Sequence, residues 1–408
     1  MLTVEDALAS IVNHVVPGTG RVTPLAESLH HVLADSLSTP HDSPPFDRSM
    51  MDGFAVCSSD FSTPGTQTLH ILETITAGTV PAESVASQTA SRIMTGAILP
   101  TGADCVVPIE RVNFDEAQPQ QVSIADDVVN AEGNVLRQGV LAKTGQPLMK
   151  AGTLLEPQHV AVLAEFGVAQ VPTVRRPTVA VLATGDELLS INQPLLPGRI
   201  RNSNEPMLVS QAQRANATAV PLGVARDNRE DLRSHITAGL KHDFLLLSGG
   251  VSAGTLDLVP SELAAAGVEQ VFHGIEMKPG KPLWFGQLQS PDHTCWVFGL
   301  PGNPVSSMVC FELFVRTALR RYAGRPGPTP QGTPARLTKT ISVKGPRPVY
   351  FPCKLNLTEE GLQATPVAWG GSADLRSTAD ANGMCLLTPQ THAYAAGDSV
   401  AAIHWSAM

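Results

Sequence analysis

The chain has 408 residues, including 34 Gly and 33 Pro, and a formal net charge of −9. A hydrophobic content of 43% is ordinary for a globular protein and excludes wholesale disorder. So many Gly and Pro residues disfavour an all-helical bundle. The acidic surface disfavours a nucleic-acid partner because it repels phosphate polymers.

Cysteine spacing and hydropathy favour a cytoplasmic protein. The six cysteines are scattered without a Cys-x-x-Cys pair, so we expect reduced thiols rather than disulfides or a zinc site. The first residues are acidic and lack the features of a signal peptide. No run approaches the ~18 apolar residues of a membrane helix, so no membrane partner is expected.

The N-terminal third is predicted to be a helical domain interrupted by a small β domain. Thr3 can cap a first helix, and the apolar spacing from Leu25 to Leu33 predicts a second one after the Pro17-Gly18 break. Short alternating stretches rich in Gly, Pro, Thr and Ser predict a β domain over 44–142. Helical periodicity returns at 157–166, so the β domain is predicted to be inserted into a helical one.

The middle of the chain alternates between strand-like and helical patterns. Continuous apolar runs separated by amphipathic helices predict a mostly parallel sheet covered on both faces. The strands are predicted at 179–183, 218–222, 244–247 and 296–300, and the helices near 204–215, 229–241, 259–266 and 304–323. The Gly/Pro-rich stretch 324–334 is predicted to be a linker. A hairpin over 354–366 then indicates a second small β domain.

Loops that follow the predicted parallel strands hold the residue types of a phosphate site. Ligands of such sheets bind beyond the carboxyl ends of the strands, and Gly-rich turns there expose N–H groups to oxyanions. Asn303 and Pro304 suit the start of a helix. Lys278 and Lys281 add positive charge. The loops are 184–187, 226–227, 248–254, 278–282 and 301–304.

Acidic residues among these loops point to a divalent cation. Asp186, Glu187, Asp227 and Asp257 would repel a bare anion, but carboxylates beside phosphates commonly hold Mg²⁺. Taken singly, a Ser-Gly-Gly or Pro-Gly-Lys-Pro loop and Asp227 are more often turns or helix caps than ligand sites, and Asp186-Glu187 fits a helix start equally well. Convergence of these loops on one sheet edge is what favours a ligand site. The Rossmann fingerprint and the P-loop motif are both absent, which disfavours those two nucleotide sites.

The β domain carries a second concentration of polar residues. Residues 44–55 hold Asp47 and Asp52 close to a Gly, and residues 92–104 hold Thr95 between further turn residues. Spacing alone does not separate a binding loop from a turn here.

Six long strings of this sequence resemble those of the MoeA and gephyrin E-domain family, the molybdopterin molybdenumtransferases. They are PPFDRSMMDGFAV (44–56), RIMTGAILPTGADCVV (92–107), TGDEL (184–188), LSGGVSAGTLD (247–257), MKPGKPLWFG (277–286) and LPGNPVSSMVCFELFV (300–315). GRIRNSN (198–204) and GGSADLRS (370–377) extend the resemblance over essentially the whole chain.

The resemblance implies a multidomain α/β protein that forms a homodimer. Its parts would be a helical dimerisation domain (1–43 plus 143–176), an inserted small β domain (44–142), a MogA-like three-layer α/β substrate domain with a mostly parallel sheet (177–323), and a C-terminal β-barrel-like domain (335–408). The active site would form between the α/β domain of one subunit and the β domain of the other.

The implied reaction is insertion of molybdate into adenylylated molybdopterin, with Mg²⁺ and release of AMP. Further expected partners are a molybdopterin adenylyltransferase and recipient molybdoenzymes. The implied catalytic residues are Asp52, Thr95, Glu187, Asp227 and Asp257, the last three also as metal ligands. The expected substrate-binding residues are Ser248, Gly249, Gly250, Ser252, Lys278, Lys281, Pro301, Gly302, Asn303, Pro304 and Ser372.

Two departures from the family pattern keep other functions open. An acidic pair that the family usually carries is replaced by Val140 and Leu141, and a basic residue is replaced by Gly274 beside His273. His273 is then either an anion contact or a packed structural histidine. Loss of the acidic pair motivates the first alternative function, a non-catalytic carrier or scaffold that binds the pterin nucleotide. The second alternative, adenylyl transfer from ATP to molybdopterin, is suggested only by the α/β domain that the resemblance shares with the adenylyltransferases.

Overall fold

The computed structural model describes residues 1–251, 258–325, 332–343, 345–388 and 393–405. The chain divides into two compact units. The first comprises 1–35, 151–160 and 169–408, and the second comprises 36–150 and 161–168. Within the described ranges, no helix is long and apolar enough to cross a membrane.

The first unit begins with helix α1 (Val4–His14), whose N-terminus is capped by Thr3 as predicted. Strands β1 (Gly20–Pro24) and β2 (Val32–Leu33) follow. The second helix predicted between Leu25 and Leu33 is wrong. Residues 25–27 form a single 3-10 turn, and His30 adopts a left-handed φ of 62° that interrupts any helix. Both strands pair instead with residues 170–174.

Residues 36–150 of the second unit form strands and short 3-10 turns, which confirms the predicted β character of residues 44–142. Five of them form one sheet in the order β8-β5-β7-β6-β9, around a core that contains Phe54 and Leu69. The strands are β3 (Leu37–Ser38), β4 (Arg48–Ser49), β5 (Gly53–Val56), β6 (Thr66–Ile75), β7 (Thr89–Ile93), β8 (Cys105–Pro108), β9 (Gln121–Ala125), β10 (Val135–Leu136) and β11 (Pro147–Met149).

Helix α2 (Pro157–Glu165) and strand β12 (Gln170–Val174) lead into the central domain. The helix confirms the periodicity at 157–166. It ends at Glu165, two residues before the predicted stop at Gly167, whose positive φ of 70° suits a residue that follows a helix.

The central domain is a six-stranded sheet in the order β16-β13-β17-β20-β19-β18. Its elements are β13 (Thr178–Thr184), β14 (Leu188–Leu189), β15 (Ile200–Arg201), α3 (Asn204–Arg214), β16 (Thr218–Ala225), α4 (Arg229–Gly239), β17 (Phe244–Ser248), α5 (Val259–Ala265), β18 (Glu269–His273), β19 (Trp284–Gln289), β20 (Thr294–Leu300), α6 (Pro304–Cys310), a π-helical turn (Phe311–Val315) and α7 (Arg316–Tyr322).

The first four strands of this sheet are mutually parallel, and β19 runs antiparallel to both of its neighbours, β20 and β18. Side chains that alternate along β17 pack into two different cores. Phe244 and Leu246 belong to the core that contains α1, α3 and α6, and Leu245 and Leu247 to the core that contains α4 and α5. Burial on both faces explains the continuous apolar runs and confirms the predicted layered sheet.

The C-terminal domain is a closed barrel in the order β21-β24-β23-β25-β27. Its strands are β21 (Thr333–Leu337), β22 (Ile341–Ser342), β23 (Val349–Thr358), β24 (Gly361–Pro366), β25 (Gly383–Leu387), β26 (Ala393–Tyr394) and β27 (Ser399–His404). The antiparallel pairing of β23 with β24 confirms the hairpin predicted over 354–366. The linker predicted over 324–334 lies partly outside the described residues. Its predicted C-terminal boundary is too late, since Thr333 and Pro334 are the first two residues of β21. Pro is tolerated at the start of a strand.

A buried carboxylate ties α3 to the helical segment that begins at Pro304. Glu312 is fully buried, accepts a hydrogen bond from Gln211 Nε2 at 2.6 Å and pairs with Arg214. Arg316 approaches the same carboxylate at 3.1 Å and donates to the Trp405 carbonyl at 2.9 Å. These contacts fix both helices relative to each other and to the end of the barrel.

Candidate active site

A cavity of about 1030 Å³ opens at the carboxyl ends of the parallel strands, the edge that the sequence predicted. Most of the residues predicted from the strand-end loops lie in its wall. They are Glu187, Asp227, Ser248, Gly249, Gly250, Pro301, Gly302, Asn303 and Pro304. A ligand larger than a single phosphate is accommodated, since drug-sized ligands occupy pockets of roughly 300–1,000 Å³.

Glycines let two loops of the wall approach each other. Gly249 has a φ of +100°, and a Cβ on it would lie 2.8 Å from the Thr184 carbonyl oxygen. A Cβ on Gly250 would lie 2.7 Å from the Val259 side chain. Because no larger residue fits without movement, the backbone itself forms this part of the wall.

An acidic corner follows β13 and β16. The Glu187 carboxylate folds over Gly185, where a Cβ would lie 2.4 Å from Glu187 Oε2. The Asp186 N–H donates to Asp227 Oδ2 at 3.2 Å, which connects the two loops. Arg226 donates to the Asp186 carbonyl oxygen at 3.2 Å. Glu187 and Asp227 therefore lie in one wall of the cavity, on loops held together by hydrogen bonds.

Ser372 of the C-terminal domain holds the Pro301–Pro304 loop. Asn303 Nδ2 donates to Ser372 Oγ at 3.0 Å, and the Val305 N–H donates to the Ser372 carbonyl oxygen at 3.1 Å. Its neighbour Ala373 lines the cavity. Ser372 is thus a support of the predicted loop, one residue away from the wall.

The Lys278–Pro282 loop reaches the cavity through Pro282, whereas Lys278 and Lys281 are exposed outside its wall. The backbone of Lys278 pairs with the barrel: its N–H donates to the Pro348 carbonyl at 2.9 Å and its carbonyl accepts from Tyr350. Arg347, which the sequence reasoning did not consider, donates to the Met277 carbonyl at 3.1 Å and adds a cation beside this loop.

In the second unit, the structure brings Asp52 and Thr95 together. Both the N–H and the hydroxyl of Thr95 donate to Asp52 Oδ1, at 2.7 and 2.8 Å. The backbone and side-chain hydrogen bonds of Thr95, helped by the charge of Arg92, hold the pKa of the Asp52 carboxyl below its usual value. Asp52 is therefore an ionised, exposed acceptor near neutral pH.

Two predicted residues, Ser252 and Asp257, lie outside the described residues. Elsewhere in the described chain, no group of three His, Cys, Asp or Glu side chains is close enough to hold a metal ion. Glu187 and Asp227 nevertheless fit Mg²⁺ chemically, since this ion prefers oxygen ligands and is commonly bound by one or two carboxylates, substrate phosphates and water.

The sequence reasoning missed the residues that open α3. The cavity is lined by Asn202, Ser203 and Asn204. The strand that precedes them, β15, is only two residues long and gives no clear apolar run in the sequence. The signal in the sequence is three consecutive small polar residues where a helix begins, within the GRIRNSN string.

The two departures from the family pattern take different positions. Val140 and Leu141 are exposed on the second unit, at 60% and 64%. His273 lies at the end of β18, and its Nε2 is 3.0 Å from the Val251 carbonyl oxygen. Since a carbonyl only accepts, Nε2 is the donor, and the exposed His273 side chain is hydrogen-bonded to a neighbouring loop.

Family models match nearly the entire chain. The MoeA N-terminal region (domain I and II) matches residues 2–167, a probable molybdopterin binding domain matches 180–321, and the MoeA C-terminal region (domain IV) matches 334–405. With the fold and the cavity, these matches define a multidomain transferase of molybdenum cofactor biosynthesis. The chain belongs to the MoeA family.

Relatives and solved structures agree with this assignment. The chain is similar to proteins named molybdopterin molybdenumtransferase from Bacillus subtilis (34% identity, covering 98% of this chain and 93% of that protein) and from Staphylococcus aureus strain COL (33%, covering 98% and 94%). The crystal structure of the molybdopterin biosynthesis MoeA protein from Pyrococcus horikoshii superposes with a TM-score of 0.86 at 29% identity, covering 100% of both chains.

Proposed function

We propose that this protein inserts molybdenum from molybdate into adenylylated molybdopterin and releases AMP. The observation that carries the proposal is the cavity at the strand ends, whose wall combines glycine-rich backbone with two carboxylates, Glu187 and Asp227. The names of the curated relatives agree with the pterin substrate.

The chain's own residues would bind the substrate and balance its charge. Gly250 and Gly302 would give the phosphates close access to backbone N–H groups, which can stabilise negative charge that develops as the phosphoanhydride P–O bond breaks. The N–H of Gly249 already donates to the Leu300 carbonyl, so this glycine would contribute only space. Lys278 and Lys281 would add positive charge at the rim. Mg²⁺, held by Glu187 and Asp227 together with Asp257, would neutralise charge on the departing AMP when bound.

The Asp52–Thr95 pair belongs to the other compact unit. We propose a cytoplasmic homodimer in which this pair completes the active site of the partner protomer. Its ionised carboxylate would accept a hydrogen bond or orient a water molecule near the reacting phosphate.

The test is release of AMP by the purified protein supplied with adenylylated molybdopterin, Mg²⁺ and molybdate. We expect AMP and cofactor that activates an apo-molybdoenzyme. Asp227→Asn and Glu187→Gln should lower the rate by about 100-fold or more, within the range for lost charge stabilisation. Asp292→Asn, which changes an exposed carboxylate outside the cavity wall, is the matched control.

The other outcomes identify the alternatives. Tight binding of the pterin nucleotide without AMP release would contradict the proposal and favour a carrier. Pyrophosphate release that depends on ATP would instead favour adenylyl transfer.

A further inference from the structure

Asn204 lines the cavity and connects the segments at the ends of β17 and β20. It is the first residue of α3 and is 9% exposed. Its Nδ2 donates to Ser248 Oγ at 2.6 Å, just at the end of β17, and to the Gly302 carbonyl oxygen at 2.7 Å, just beyond β20. One amide group thus links the serine-glycine loop to the loop that contains Asn303.

The orientation of this amide follows from its partners. The Gly302 carbonyl can only accept a hydrogen bond, so the amide atom beside it must be the NH₂ group. The Ser248 hydroxyl can accept from the same group. The opposite orientation would place two carbonyl oxygens against each other. Oδ1 is therefore the atom that points away from both loops.

Asn204 Oδ1 is buried and has no hydrogen-bond partner among the residues that the structure describes. A buried acceptor without a donor is costly, and most such groups in proteins are satisfied. Asn204 lines the cavity, although Oδ1 itself is covered, so a small movement of the side chain on ligand binding would bring Oδ1 to a donor on an occupant of the cavity.

We propose that Asn204 positions the two loops through Nδ2 and binds an N–H or O–H group of the substrate through Oδ1. The inference rests on the proposed function, because it places adenylylated molybdopterin in this cavity. That substrate carries such donors in both halves: the amide and amino groups of the pterin, and the hydroxyl groups of the ribose. Asn204 would thus bind an uncharged part of the ligand by a hydrogen bond, while the glycine loops bind its phosphates.

The test compares the two halves of the substrate by calorimetry. Affinities of the full-length wild type and Asn204→Ala are measured for AMP, 2′-deoxy-AMP, 3′-deoxy-AMP and molybdopterin. We expect Asn204→Ala to weaken binding of the half that carries the donor about tenfold more than binding of the other half, as for loss of one buried hydrogen bond. Loss of the Nδ2 contacts to the two loops would weaken binding of both halves alike. Asn356→Ala, on the exposed face of barrel strand β23, should bind both halves as the wild type does.

The analogues identify the donor. If it is a ribose hydroxyl, the matching deoxy-AMP binds the wild type about tenfold more weakly, and Asn204→Ala weakens its binding no more than that of molybdopterin. If it is the pterin, molybdopterin is the ligand whose binding Asn204→Ala weakens most. If Asn204→Ala does not fold, Asn204→Ser is measured in its place, because the serine hydroxyl is too short to reach the position of Oδ1.

Two results would overturn the proposal. One is unchanged affinity of Asn204→Ala for both halves. The other is an equal loss for both halves with a lowered unfolding temperature, which would reduce Asn204 to a scaffold. Absence of AMP release by the wild type contradicts the proposed reaction instead, and the affinities still decide the role of Asn204.

Discussion

Thr95 donates two hydrogen bonds to a single oxygen of Asp52, although the two residues are 43 positions apart in the chain. The backbone N–H and the hydroxyl both point at Oδ1, which leaves Oδ2 as the oxygen that Thr95 does not contact. The arrangement fixes the carboxylate in one orientation and keeps it ionised by lowering its pKa.

Thr95→Val therefore tests orientation separately from charge. It keeps the backbone donor, removes the hydroxyl and preserves the side-chain shape, so we expect AMP release to slow by about tenfold, the value of one hydrogen bond to a charged group. Thr95→Ser should keep most of the rate. Equal rates for the valine variant and the wild type would contradict a positioning role.

Gly185→Ala should disable the acidic corner without unfolding the protein. Its Cβ would lie 2.4 Å from Glu187 Oε2, so the carboxylate must move away. We expect AMP release to require several-fold more Mg²⁺ at half-maximal rate. Gly198→Ala is the matched control, because Gly198 also has a positive φ but a Cβ there meets nothing within 4 Å. Identical Mg²⁺ dependence of the two variants would contradict this prediction.

Asp243 is expected to stabilise the opposite end of the sheet. It is 3% exposed, accepts hydrogen bonds from Arg175 Nη1 at 2.6 Å and from the Thr178 N–H at 2.8 Å, and immediately precedes β17. Asp243→Ala should lower the free energy of unfolding by about 3–5 kcal/mol, because it leaves a half-buried arginine without its partner. Denaturant unfolding measures this, with the exposed Asp292→Ala as control.

AMP affinity should not change in Asp243→Ala protein that remains folded, since the cavity lies at the other end of β17. If the variant is as stable as the wild type, the attraction within the ion pair only offsets the cost of removing both charges from water.

The pKa of Asp243 is lowered. Burial alone would raise it, but the hydrogen bonds from Arg175 and Thr178 outweigh burial. The contribution of ionised Asp243 to the free energy of unfolding is therefore present above about pH 4 and is lost as the pH falls through the pKa of Asp243 in the folded protein.

His31 should make stability depend on pH between about 4 and 6.5. Burial, with the charges of Arg176 and Arg21, lowers the pKa of His31 from 6.5 to about 4. In that interval the unfolded chain binds a proton that the folded protein does not, so stability falls as the pH falls, by about 2–3 kcal/mol in total.

His31→Gln should flatten this part of the profile, measured as the free energy of unfolding at several pH values. His70→Gln, which changes an exposed histidine, should leave the slope as it is. An unchanged slope in His31→Gln would assign the dependence to other groups.

The apolar pair Val140 and Leu141 is predicted to be tolerated by both fold and catalysis. The double variant Val140→Glu, Leu141→Asp changes two exposed side chains, so its unfolding free energy should stay within about 0.5 kcal/mol of the wild type. We expect AMP release within twofold, because Asp52, Thr95, Glu187 and Asp227 are all retained. A tenfold gain would show that the missing carboxylates limit this enzyme.

The sequence by itself determined the layered sheet and the location of the cavity. Continuous apolar strands such as Phe244–Ser248 can only be buried on both faces, and polar residues after them must gather at the edge where parallel strands end. Local spacing was enough, because each strand and its loop are contiguous in the chain.

Only the tertiary structure decided the contacts between distant residues. The apolar spacing of Leu25–Leu33 fits a helix, yet strand β12, more than 130 residues later, pairs with its end. Likewise Asn204 gained its role from Ser248 and Gly302, and Glu312 from Gln211 and Arg214. Local patterns carry propensity and burial, but a hydrogen bond between distant side chains depends on packing that no short stretch of sequence specifies.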